Sequence, residues 1–162
     1  NTMMNDLPRF TKLVHILGNK FNIPTTEVAQ KINTPTAQTY RQLGDDLIVT
    51  ANNDESNGNE LGYQKMIKLI KNGADVNFES YLLTPLGGAI ENTRFNIAVI
   101  KALLNAGAKV TNKHLEQLND VSELMHLIYF DEDYIAAQKR KEIVRQLLEE
   151  AIAKQQNEKE IQ

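Results

Sequence analysis

The sequence predicts an all-α protein built as a short stack of helical repeats with a helical cap at each end. Three observations carry that expectation. An apolar run closed by a Gly-Ala pair occurs twice, as Met66–Asn72 before Gly73-Ala74-Asp75-Val76-Asn77 and as Ile100–Ala106 before Gly107-Ala108-Lys109-Val110-Thr111. The two glycines stand 34 residues apart, a period in the range of solenoid repeats. Glycine and proline punctuate segments of helical periodicity throughout, and no alternating strand pattern of useful length appears.

Along the chain, apolar spacing predicts a first helix over Leu7–Gly18, with Pro8 in its first turn and Phe10, Leu13, Val14 and Leu17 on one face. Thr25 is the expected N-cap of a short helix ending at Ile32 that turns Val28 and Ala29 inward. Thr34-Pro35 opens a third helix, for which Gly44 is the expected C-terminal stop. Asp45 or Asp46 then caps a helix through Leu47 and Ala51, and the polar stretch Asn52–Asn59 leads to a helix over Glu60–Lys71. Further helices are expected at Pro85–Asn92, Asn96–Asn105, Lys113–Tyr129 and Tyr134–Lys154, with a frayed tail over 155–162. The expected organisation is a helical N-terminal cap or small appended module at 1–43 and the repeats with their C-terminal cap at 44–154. The last helix pair has no neighbour beyond it, so its outer face is expected to be polar, as Lys139, Arg140, Lys141, Glu142, Arg145, Glu149 and Glu150 suggest.

The segment Thr84-Pro85-Leu86-Gly87-Gly88-Ala89, with the Gly-Ala turns around it, resembles the ankyrin repeat. Each position has a physical task. Thr84 caps a helix whose first turn holds Pro85, and the small residues 87–89 allow a neighbouring repeat to approach closely. The resemblance covers residues 44–111 as two recognisable repeats, with a degenerate third leading into the C-terminal cap. It departs from the family at Gly87, where a histidine is usual, and in a shortened hairpin between Gly73 and Thr84.

The resemblance implies a non-enzymatic module that binds a partner protein through a concave groove, an adaptor whose partner the sequence does not name. Carried onto this chain, the hairpin-tip positions are Phe78, Glu79, Ser80, Tyr81, Leu82 and Leu83. The groove positions at the ends of first helices are Glu91 and Asn92, with Asn53 and Asp54 in the preceding repeat. Phe78, Tyr81, Leu82 and Leu83 are unusually apolar for a solvated loop. Either they form an exposed partner surface, or the hairpin folds inward over the core edge.

Composition narrows the alternatives. The net charge of −3 divides into +3 over residues 1–43 and −6 over the remainder, and an acidic body disfavours broad nucleic-acid binding. The alternative function rests on the basic head. Residues 25–43 are patterned like a helix-turn-helix, with Ala29 at the helix contact, Asn33 in the turn, and Gln38, Thr39 and Arg41 toward a major groove. Only Lys31 and Arg41 are basic there, few for phosphate contacts. No catalytic, cofactor or metal set is expected. Ser56, Ser80 and Ser122 sit in no glycine elbow, and His126 near Asp131, Glu132 and Asp133 matches no ligand spacing. The absence of cysteine is consistent with a reducing compartment. No apolar run of spanning length and no signal-peptide pattern is found, so a cytoplasmic protein, or one delivered into another cell's cytosol, is expected. Richness in Asn, Lys and Ile fits an AT-rich, bacterial coding sequence, and a monomer is expected.

Overall fold

The computed structural model describes the backbone of residues 2–53, 60–81 and 83–161. All regular structure among them is helical: α1 (Thr2–Phe21), α2 (Thr25–Gln30), α3 (Pro35–Asn52), α4 (Glu60–Lys71), α5 (Pro85–Glu91), α6 (Ile97–Asn105), α7 (Asn112–Ile128) and α8 (Asp131–Ile161). None of these is long and apolar enough to cross a membrane.

The helices pack as pairs in two rows. α3, α5 and α7 lie side by side in one row, α4, α6 and α8 in the other, and each first-row helix also packs on its successor in sequence. α1 and α2 pack against α3 and against each other. One core runs through the rows, with Leu47, Met66, Leu86, Ile90, Ile100, Leu103, Leu118, Val144 and Leu148 fully buried. A second, smaller core beneath α1 and α2 holds Leu7, Phe10, Val14, Val28, Ala29, Ala37 and Tyr40, joined by Phe78 from the body.

Local chemistry sets several boundaries. Thr34 accepts a hydrogen bond from Ala37 N (3.2 Å) and Thr84 one from Gly87 N (3.1 Å), each with proline next in the chain. Asn96 caps α6 by accepting from Val99 N at 3.2 Å. Gly73 and Gly107 close α4 and α6 with φ of +98° and +99°, a conformation in which a Cβ is strained. Gly88 faces α3, where a Cβ would lie 3.2 Å from Ile48 O, which is how closely the first-row helices approach.

The structure differs from the sequence reading in several helix boundaries and faces. α1 begins at Thr2, so Pro8 lies inside it, and Leu13 points to solvent rather than joining Phe10 and Val14. Thr25 is a helical residue and Pro24 takes the cap position, because the Thr25 hydroxyl accepts from Glu79 N (2.9 Å) instead. Gly44 does not stop α3, which continues through it to Asn52, so no new helix is capped at Asp45 or Asp46. The glycine serves a tertiary contact: a Cβ there would lie 2.3 Å from the Phe78 ring. α8 runs past Lys154 to Ile161, because Gln155 holds the backbone of Val110, accepting from its N and donating to its O, both at 2.8 Å. Finally, the last helix pair is not uniformly polar outside: Leu127, Ile128, Phe130, Ile135 and Ile143 are exposed.

Candidate protein-binding cleft

The segment between Gly73 and Thr84 is anchored from below before it presents anything to solvent. Asp75 is buried and its Oδ2 accepts from Tyr40 OH (2.7 Å) and from His15 Nε2 (2.6 Å), while its Oδ1 accepts from Asn77 N (2.9 Å). The hydrogen bond to Asp75 raises the His15 pKa despite partial burial, with the Asp75 and Glu79 charges adding to it and Lys109 opposing. Burial, followed by the Asp75 charge, raises the Tyr40 phenol, which therefore stays a neutral donor. Phe78 stands edge-on to Tyr40 at 5.4 Å between ring centroids, and Tyr40 likewise to Phe10 at 5.3 Å. Burying a phenyl ring in this way stabilises by roughly 1.5–3 kcal/mol, which holds the segment down.

The next residues are tied to α2. Thr26 N donates to Glu79 O (3.1 Å), matching the bond from Glu79 N to Thr25. Ser80 then closes a turn with Leu83: its N and its hydroxyl donate to Leu83 O, and its Oγ accepts from Leu83 N. Tyr81 projects from that turn with 61% of its surface exposed, its hydroxyl donating to Gln30 Oε1 at 3.2 Å.

Across from this turn stands the start of α7. Thr111 N donates to His114 Nδ1 (3.0 Å), and His114 Nε2 lies 3.5 Å from Thr84 Oγ1. Gln117 donates to Gly87 O at 3.0 Å and so fixes α7 against α5. Burial lowers the His114 pKa. Between the two walls lies an open cleft of about 480 Å³, lined by Glu79, Ser80, Tyr81, Leu83 and Glu91 on one side and by Thr111, Lys113, His114 and Gln117 on the other. Thr84 and Gly87 complete its lining. A second lobe of about 270 Å³ shares Glu79, Thr84, Thr111 and His114 and extends to His15, Asn19, Asn77 and Lys109. The lining of the two lobes thus combines the carboxylates of Glu79 and Glu91, the ammonium groups of Lys109 and Lys113, and the ring of Tyr81.

Of the residues singled out in the sequence, Glu79, Ser80, Tyr81, Leu83 and Glu91 come together at this cleft. Phe78 does not; it is fully buried in the head core, so the hairpin folds inward at its base and outward at its tip. Asn92 is also buried, its side chain engaged by Asn53 O (3.2 Å) and Arg94 N (3.0 Å), which makes it a clasp between α3 and α5. Asn53 is exposed next to that clasp, away from the cleft lining. Leu82 and Asp54 lie outside the described residues.

The α7 wall and His15 escaped the sequence reading. A signal for the former was present: Thr111-x-x-His114 repeats the Thr84-x-x-Gly87 spacing, with a histidine in the place of the glycine. It was obscured because Thr84 follows Gly73 by 11 residues whereas Thr111 follows Gly107 by only 4. The connection from Gly107 to Thr111 is too short to form a segment like that between Gly73 and Thr84.

In the head, Ala29 is buried at the helix contact, Lys31 and Gln38 are exposed, and Thr39 and Arg41 are half-buried. His126 and Asp131–Asp133 are exposed, Ser122 Oγ accepts from Lys141 Nζ (3.3 Å), and Ser56 lies outside the described residues. Among the described residues no group of three or more His, Asp or Glu side chains is placed to hold a metal ion. Comparison of the chain with protein-family models, with characterised proteins and with solved structures finds no match.

Proposed function

We propose that this chain is a non-enzymatic interaction module, a short ankyrin-like stack that holds a segment of a partner protein in the cleft between the Ser80–Leu83 turn and the start of α7. The observation that carries the reading is Tyr81: a largely exposed aromatic ring on a turn whose base is buried and hydrogen-bonded to α2. A rigidly mounted aromatic gives up little entropy on contact, which is why such residues dominate interface energetics. Glu79, Glu91 and Lys113 around it give the cleft charges of both signs, favouring one orientation of the bound segment. The paired helices in two rows, the glycine-closed turns and the Thr84 cap support the ankyrin-like part of the proposal.

The test compares capture from cell lysate by the wild-type chain, by Tyr81→Ala/Lys113→Glu, and by Lys154→Glu as a remote surface control. A specific protein retained by wild type and control should be lost from the double variant. All three melting temperatures should agree within about 3 °C, since surface changes cost little. Equal capture by the double variant would overturn the reading.

A further inference from the structure

The last helix pair has one side covered, by α5 against α7 and by α6 against α8, and its opposite side is where another pair would continue the rows. That end of the molecule carries exposed Leu127, Ile128, Phe130, Ile135 and Ile143, with Phe130 71% and Ile135 56% exposed. Apolar groups gathered at one turn between helices form the kind of patch that marks an interaction surface. The exposed face of α8 is a continuous stripe, Glu132, Ile135, Ala136, Lys139 and Ile143, at the spacing of one helix face.

The order of charges along that stripe identifies the occupant. Laid antiparallel on itself about a two-fold axis between Ile135 and Ala136, the stripe sets Glu132 of one copy against Lys139 of the other, and the reverse, on either side of an apolar centre. Ala136 keeps the centre narrow enough for helices to approach, and Ile143 then faces the Ile128–Phe130 turn of the opposing copy. Among the described residues neither Glu132 nor Lys139 forms an ion pair within the chain. A two-fold interface requires a self-complementary surface. We propose that a second copy of this chain covers the outer face of α8, giving an antiparallel dimer joined at the C-terminal helix pairs and centred on Ile135.

Sedimentation equilibrium of the full chain tests this with four proteins. Wild type is expected to be dimeric at roughly 100 μM, whereas Ile135→Asp should be monomeric there. Glu132→Lys should raise the dimer dissociation constant about tenfold by setting lysine against lysine. Glu132→Lys combined with Lys139→Glu should return it to within about threefold of wild type, because the swap restores both pairs. All the substituted side chains are exposed, and circular dichroism verifies that each variant folds. A monomeric wild type, a dimer that survives Ile135→Asp, or a charge swap that restores nothing would each overturn the proposal. So would association seen only with a different protein.

Discussion

The ring of Phe78 occupies the space in which residue 44 would carry its Cβ. An added Cβ on Gly44 would lie 2.3–2.6 Å from three ring carbons, well inside van der Waals contact. The body thereby places an aromatic side chain in the core of the head, and α3 passes beneath it without interruption.

Gly44→Ala is therefore expected to destabilise the protein although alanine is the better helix former by about 1 kcal/mol. Overpacking against a fully buried ring costs roughly 1–3 kcal/mol or more and has no flexible end to yield. Urea denaturation should show the net loss. Adding Phe78→Leu should recover part of it, whereas full tolerance of Gly44→Ala would mean that the ring moves aside freely.

The two turn glycines separate backbone strain from packing. Both have positive φ, so replacement by alanine costs on the order of 1–2 kcal/mol at either site. At Gly107 a Cβ meets nothing within 4 Å, while at Gly73 it lies 2.7 Å from Leu7 Cδ2 in the head core. Gly73→Ala should thus be the more damaging of the two, and Leu7→Ala in the same chain should narrow the gap. Thermal melts of the variants check the ranking.

This pair also shows how far the sequence could be read. Features written within one turn of chain were legible: the Thr84 and Thr34 caps, the glycines that end α4 and α6, and the helices between them. Gly44 was not, because its cause lies in Phe78, and a glycine in a helical run looks locally like a stop. Half of the proposed cleft was legible as a hairpin, from Glu79 to Leu83. Its α7 wall was hidden because Thr111 follows Gly107 far more closely than Thr84 follows Gly73, which shifts Thr111-x-x-His114 out of register. Phe78 and Tyr81 sit three residues apart with opposite fates, and composition alone does not tell an anchor from an exposed tip.

Gln155 connects the far end of α8 to the turn after α6. Its two hydrogen bonds replace the partners that Val110 N and O would otherwise lack on that side. Gln155→Ala should cost about 1–3 kcal/mol. Amide hydrogen exchange should accelerate at Val110 and along the last two turns of α8 but not in α1–α3. A uniform acceleration would instead mean that the whole stack depends on this clamp.

Two histidines give opposite pH dependences, and their signs can be separated. His15 has a pKa raised above its ordinary 6.5 in the folded chain, chiefly by its hydrogen bond to Asp75. The folded state then binds this proton more tightly than the unfolded state does, so the contribution is full below 6.5 and disappears as pH rises through the folded value. His114 has a pKa lowered by burial, and its Nδ1 must keep a lone pair to accept from Thr111 N. Its contribution is present above 6.5 and is lost as pH falls through the depressed value. Urea titrations between about pH 5 and 9, above the range where most carboxylates titrate, should therefore show a decline in stability on both flanks. His15→Asn should flatten the alkaline flank and leave the acid one, and Asp75→Asn should flatten it similarly at a larger overall loss because Tyr40 and His15 both lose their shared acceptor Oδ2. His114→Gln should flatten the acid flank alone. An alkaline decline that persists in both His15→Asn and Asp75→Asn would show that the head is not held to the body by this pair.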